Sequence, residues 1–162
     1  MGRKIPETII EVELLDILKA TNNNNDRLAF ALGFYEAMRI SEITSLKPEN
    51  IDSGQRLIRI KQAKGSKDRN IPIAPEVMKA LKYLPIKTGI RALQIAFKKK
   101  AKEVLGKDLH FHCLRHSGAS HYINKKNWDL RSLQVFLGHS KIETTEIYVH
   151  VSPENLIDKM WG

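Results

Sequence analysis

Between residues 56 and 74 the hydrophobic period of this chain changes. RLIRIK (56–61) and RNIPIA (69–74) alternate polar and apolar side chains, the period of a half-buried strand. QAKGSKD lies between them, with Gly65 as the turn residue and lysines on either side of it. The three segments read as one β-hairpin with a basic tip. Elsewhere the apolar residues recur at helical spacing. The chain is therefore expected to be mainly α with a small antiparallel β-sheet, an α+β fold.

The helical segments can be placed one by one. In TIIEVELLDILKA (8–20), residues 9, 10, 14, 17 and 18 form an apolar stripe. NNNND (22–26) reads as a loop, with Asp26 capping a helix near 27–38. Ser41 is placed to cap a short helix that ends before Pro48. Further helices are expected near 75–84, 89–105, 112–126, 129–137, 141–149 and 153–160. Pro75 suits a first turn, while Gly106 and Gly138 suit helix C-termini. Phe111, Leu114, Leu133, Val135, Phe136 and Leu137 are expected in the core, and Cys113 as a small buried hydrophobe. No repeat or linker divides the 162 residues, so residues 1–162 read as one domain.

Several classes are excluded by composition. The longest nearly apolar stretch, LAFALGFYEAM (28–38), is too short to span a bilayer and carries Glu36. MGRKIPETIIEVE has neither the apolar core nor the cleavage site of a secretory signal. One cysteine allows no internal disulfide and no four-cysteine zinc site, which points to a reducing cytoplasm. Charge is unevenly spread. Residues 1–50 hold six Lys/Arg and eight Asp/Glu, so of the totals of 27 and 18, residues 51–162 hold 21 and 10. Such a basic excess suits a polyanionic partner, most simply nucleic acid.

The residue types that carry chemistry sharpen this reading. Arg39 follows an apolar helix, Lys64 sits at the hairpin tip, and His112 and Arg115 are spaced i, i+3. His139 follows Gly138, and Tyr148 lies nine residues later. Guanidinium groups match the non-bridging oxygens of a phosphodiester with paired donors. A lysine or histidine can move the proton of a leaving alkoxide, and a tyrosine hydroxyl can attack phosphorus. No carboxylate cluster stands ready to hold Mg²⁺, which argues against two-metal nuclease chemistry.

AMRISEITSLKPENID, AKGSKDRNIPI, HCLRHSGASHYI and LGHSKIETTEIYVHV together resemble the four conserved boxes of the tyrosine recombinases, the phage integrase family, in the family's order. The resemblance covers roughly residues 7–158 and implies that family's catalytic-domain fold. It also implies a role for each matching residue. Tyr148 would attack the scissile phosphate, forming a 3′-phosphotyrosyl bond and freeing a 5′-hydroxyl. Arg39 and Arg115 would clamp the non-bridging oxygens, and Lys64 would protonate the leaving 5′-oxygen. His112 would assist proton transfer around the tyrosine, His139 would hydrogen-bond the phosphate, and Glu42 would orient the site. No metal or other cofactor is implied. The partner would be double-stranded DNA at a specific site, with self-association as a tetramer on DNA in the full-length protein, without any membrane.

Each residue also has an ordinary explanation. Arg39 and Glu42 make an i, i+3 surface ion pair, Lys64 a solvated turn lysine, Tyr148 a half-buried core tyrosine, and His139 a cap or surface histidine. Agreement of all six chemical residues with one family's spacing reverses that reading. His112 and His116 are spaced i, i+4 as zinc ligands can be, but no Glu completes an H-E-x-x-H motif. His116 and His121 are expected to be structural. Arg56, Arg59, Lys61, Lys67 and Arg69 on the hairpin, and Lys98, Lys99, Lys100 and Lys102 in the basic helix, are expected to face DNA phosphates.

Two features depart from the family pattern. The N-terminal DNA-clamping domain of most members is absent from this sequence, and PIKTG (85–89) is short. SPENLIDKMW, through Leu156, Ile157, Met160 and Trp161, would dock on a neighbouring protomer or fold back on its own core. The alternatives to a recombinase are a type IB topoisomerase-like enzyme that reseals the original ends, and a DNA-binding fragment inactive without the missing domain.

Overall fold

The computed structural model describes residues 7–61, 68–138 and 160–161. Its centre is helix α2 (Asn24–Tyr35), whose residues 28 to 35 are all buried. Helices α1 (Glu11–Lys19), α3 (Ile40–Ser45), α4 (Pro75–Met78), α5 (Ile90–Leu105) and α6 (Cys113–Asn124) surround it, and α7 (Leu130–Leu137) packs on α6. A helix enclosed in this way needs apolar side chains on every face, which explains the unbroken run LAFALGFY.

Strands β1 (Ile51–Asp52), β2 (Leu57–Ile60) and β3 (Arg69–Pro72) form an antiparallel sheet in the order β1-β2-β3. Ile58 pairs with Ile51 on one side and Ile71 on the other, while Ile60 pairs with Arg69. Ile58, Ile60 and Ile71 face the core. The two alternating segments are thus paired as expected. The two-residue β1 was not foreseen, because two residues are too few to show a period.

Two helix starts differ from expectation. Asn23, not Asp26, caps α2: its side chain accepts from the Asn25 and Asp26 backbone N–H groups at 2.8 and 3.0 Å. Asp26 instead accepts from the Thr88 hydroxyl at 2.7 Å. Ser41 lies inside α3, and the cap position belongs to Arg39, whose backbone N–H donates to Glu42 Oε1 at 2.8 Å. The asparagine run is a clamp as well as a loop. Asn25 Nδ2 donates to the Pro85 carbonyl at 2.9 Å, and its Oδ1 accepts from Lys87 N–H at 2.6 Å. PIKTG is thereby tied to the start of α2. The helix expected over 75–84 is α-helical only to Met78 and tightens to a 3₁₀ turn over Lys79–Tyr83.

Two aromatic groups set the remaining angles. Phe30, Phe97 and Phe111 meet with ring centroids 5.4 to 6.0 Å apart, joining α2, α5 and the turn before α6. Tyr122 stacks on Trp128 at 4.5 Å, and both meet Phe136 edge-on, fixing α7 against α6. At the α2–α6 crossing Gly118 lies so close to Phe34 that a Cβ there would stand 1.9 Å from the Phe34 carbonyl oxygen. The other expected core residues are buried, but Val135 is 57% exposed. In the amphipathic α7, Leu133, Phe136 and Leu137 take the inner face, and Val135 falls on the opposite one. Among the described residues no helix is long and apolar enough to cross a membrane. The helices expected near 141–149 and 153–160 lie outside the described residues, apart from Met160, which is exposed together with Trp161.

Candidate active site

The C-terminal end of α2, the start of α3, the N-terminus of α6 and the end of α7 converge on one region. Ala37, at φ 48°, turns the chain out of α2 in a conformation that a Cβ disfavours. Its carbonyl accepts from Arg115 Nη1 at 2.6 Å, and Arg115 Nη2 donates to the Leu137 carbonyl at 2.8 Å. Arg115 is 2% exposed, so a buried cation ties the ends of α2 and α7 together. Helix carbonyl ends carry partial negative charge and leave unmatched acceptors, which is what a buried guanidinium needs.

Arg39 and Arg69 share the carboxylate of Glu42. Arg69 Nη1 lies 2.6 Å from Glu42 Oε2 and its Nη2 donates to Oε1 at 3.2 Å, while Arg39 Nη1 lies 3.5 Å from Oε2. The Glu42 side chain is 3% exposed, Arg69 10% and Arg39 41%. Arg69 also donates from Nε to the Phe136 carbonyl at 3.1 Å. Glu42 is therefore a buried brace whose outer partner, Arg39, keeps donors turned to solvent. Gly138 closes this corner at φ 74°, and a Cβ there would meet Arg69 Cδ at 3.0 Å.

The expectation that Arg69 faces DNA phosphates is corrected by these contacts. Its guanidinium is spent on Glu42 and Phe136. The signal was present in the sequence: Arg69 is in phase with Ile71 and Ile73, both buried, so period two points it inward. Arg59, out of that phase, is 56% exposed and lies 3.4 Å from Asp52. Arg56 and Lys61 are exposed. Lys98 pairs with Asp108 at 3.2 Å and Lys100 with Glu103 at 3.3 Å, while Lys99 and Lys102 are exposed on the same helix.

His112 stands at the N-cap position of α6, exposed. Partial burial, then the charges of Arg115 and Arg39, hold its pKa below the ordinary histidine value. Both effects favour the neutral imidazole, the form able to accept a proton. His116, one turn further, packs edge-on to it at 4.5 Å between centroids, and burial lowers its pKa to about 4. Cys113 is buried, which pushes its thiol up to about 12. Among the described residues no three His, Cys, Asp or Glu side chains gather as metal ligands would. A cleft of about 470 Å³ opens beside His112, walled by Met38 and Ile40 on either side of Arg39 in sequence.

The structure thus brings Arg39, Glu42, His112 and Arg115 together from two segments seventy residues apart in sequence. Lys64, Lys67, His139 and Tyr148 lie outside the described residues.

Comparison with known proteins shows the family and the fold. The phage integrase family profile matches residues 8–92 and 85–155, and the chain belongs to that family. It is 32% identical over 178 residues to tyrosine recombinase XerC of Pseudomonas fluorescens, covering 95% of this chain and 59% of the relative. It is likewise 32% identical to a tyrosine recombinase of Thermosipho africanus, covering 96% of this chain and 61% of that protein. The chain therefore spans about three fifths of the length of these relatives. The fold matches XerA recombinase with a TM-score of 0.82 at 22% identity, over 98% of this chain and 65% of that one. It matches the catalytic domain of bacteriophage HP1 integrase with a TM-score of 0.72 at 25% identity, over 96% and 94% of the two chains. The mainly helical fold with a three-stranded antiparallel sheet is that of tyrosine recombinase catalytic domains.

Proposed function

We propose that this chain is the catalytic part of a site-specific DNA recombinase that cleaves and rejoins strands through a 3′-phosphotyrosyl bond at Tyr148. The observation that supports the reading is that Arg39, His112 and Arg115 gather where the ends of α2 and α7 meet the start of α6, with Arg39 braced by Glu42. In the cleavage step the Tyr148 hydroxyl attacks the scissile phosphorus as its proton passes toward His112. The bond from phosphorus to the 5′-oxygen breaks, and that oxygen takes a proton from Lys64. Arg39, Arg115 and His139 stabilise the negative charge that builds on the non-bridging oxygens. Because the phosphodiester is exchanged rather than hydrolysed, a 5′-hydroxyl of another strand reverses the step and no external energy source is required.

The depressed pKa of His112 supports its part in this scheme, since a neutral imidazole is needed at the start. The basic balance of residues 51–162 supports duplex DNA as the partner. XerH, one of the similar structures, is itself described bound to its difH substrate. The whole protein would act on paired sites as an oligomer in the cytoplasm.

The test is covalent capture on nicked duplexes whose sequence is randomised around the nick. Cleavage next to a nick releases a short oligonucleotide and cannot reverse. The wild-type chain is expected to give a slow-migrating protein–DNA adduct on a denaturing gel in the presence of EDTA. Tyr148→Phe is expected to give none while binding DNA equally well. An adduct that persists in Tyr148→Phe, or one abolished by EDTA, would refute the scheme.

A further inference from the structure

We propose that Glu36 is a positioning residue for strand cleavage: with its proton in place, it fixes the turn between α2 and α3 that carries Arg39 and the seat of Arg115. The inference rests on the recombinase reading above and extends it to a residue too deeply buried to touch DNA. Glu36 is the C-terminal cap residue of α2 and is fully buried. The chain then turns through Ala37, at φ 48°, and Arg39 follows two residues later at the start of α3. This turn is held from outside. The Tyr35 carbonyl accepts from the Tyr122 hydroxyl at 2.6 Å, and the Ala37 carbonyl accepts from Arg115 Nη1 at 2.6 Å. Between them, Glu36 Oε1 accepts from the N–H of Ala74, the cap residue of α4. A side-chain-bearing residue stays at positive φ only where its surroundings over-determine it. Three partners do that here: Tyr122 and Arg115 of α6, and Ala74 at the head of α4.

The hold depends on the proton. A neutral carboxyl tolerates an apolar site with a single bond, whereas a carboxylate needs donors at both oxygens. Glu36 Oε2 has no hydrogen-bond partner among the described residues. The carbonyl end of α2 adds partial negative charge beside it. The titratable groups around it bring no relief. Glu76 of α4 is itself an acid and pushes the Glu36 pKa further up. Tyr122 of α6 and Tyr35 of α2 are neutral, both held above the ordinary tyrosine range, by burial first. The Tyr35 hydroxyl donates to Glu11 of α1 at 2.8 Å. Arg115 turns Nη1 and Nη2 to the Ala37 and Leu137 carbonyls. Ionisation therefore draws water in to Glu36, parts α4 from the turn and lets Ala37 leave its positive φ. Arg39 and Arg115 then lose the spacing that a shared phosphate requires.

The experiment is single-turnover adduct formation on the randomised nicked duplexes between pH 7 and pH 9. Wild type is compared with Glu36→Gln and Glu36→Met, neither of which can ionise at this position. Near-UV circular dichroism at each pH gives the folded fraction, and rates are taken per folded molecule. Titrations of Tyr148, His112 and Lys64 are common to the three proteins and cancel in the ratio of rates. A carboxyl that titrates at about 8 is about 90% protonated at pH 7 and about 10% at pH 9. The wild-type rate is therefore expected to fall about tenfold relative to either variant across that range. A ratio that stays constant would overturn the positioning role while leaving the Tyr148 adduct in place. So would a fall that vanishes once the rates are corrected for unfolding, because Glu36 would then serve stability alone. No adduct from any of the three folded proteins at pH 7 would overturn the recombinase reading, and this role with it.

Discussion

Glu36 interrupts the most apolar segment of the chain and is fully buried. Its Oε1 accepts from Ala74 N–H at 2.5 Å, and its Oε2 has no hydrogen-bond partner among the described residues. Burial pushes the carboxyl from 4.5 up to about 8, against the opposing pull of the Ala74 N–H and with a smaller push from Glu76. At pH 7 the folded chain holds this proton and the unfolded chain does not. The unfolded state then binds fewer protons, so stability falls as pH rises. The contribution is whole below about pH 4.5 and lost by about pH 8. Two and a half pH units at about 1.4 kcal/mol each put the loss at pH 7 at about 3 kcal/mol. Glu36→Gln keeps an oxygen for Ala74 and cannot ionise. Its amide group takes the unpartnered place of Oε2, at a pH-independent cost of about 1–3 kcal/mol. Urea unfolding of both proteins from pH 5 to 8.5 is the assay. Titrating histidines are common to the two and cancel in the difference. The variant is expected to be the less stable protein at pH 5 and the more stable at pH 8.5. A difference in unfolding free energy that stays constant across this range would refute the reasoning.

Two further outcomes follow from the packing. Gly118→Ala would drive a methyl group into the Phe34 carbonyl and force α2 and α6 apart, lowering stability by about 3 kcal/mol in chemical denaturation. Gly89→Ser, at the open N-cap of α5, is expected to cost nothing. Arg69→Ala leaves Glu42 buried beside a more distant guanidinium and is expected to lower stability by about 3 kcal/mol. Arg39→Ala removes a 41% exposed side chain and is expected to cost under about 1 kcal/mol while abolishing the covalent adduct. The same two measurements on both variants check the contrast.

Much of this architecture was legible in local pattern. The alternation in RLIRIK and RNIPIA placed β2 and β3, and glycines at 106 and 138 marked the ends of α5 and α7 at φ 68° and 74°. Periodicity and cap chemistry are properties of neighbouring residues, so a single sequence carries them. The order and spacing of four short motifs likewise carried the family. Where local cues competed, the nearest candidate misled: Asp26 and Ser41 are good capping residues, but Asn23 and Glu42 are the ones whose side chains reach the free N–H groups.

The partnerships of charged side chains were decided only by tertiary structure. Arg39 and Arg69 look alike in the sequence, yet one is 41% exposed and the other is enclosed between Glu42 and Phe136. Arg115 matches a catalytic motif, and the fold also makes it a tie between two helix ends. Glu36 reads as a polar interruption until α4 closes over it and delivers the Ala74 N–H. Hydrophobic period follows from the backbone geometry of one element. The environment of a charge depends on atoms brought from residues far away in the chain, and desolvation and pairing act on it only once those atoms are in place.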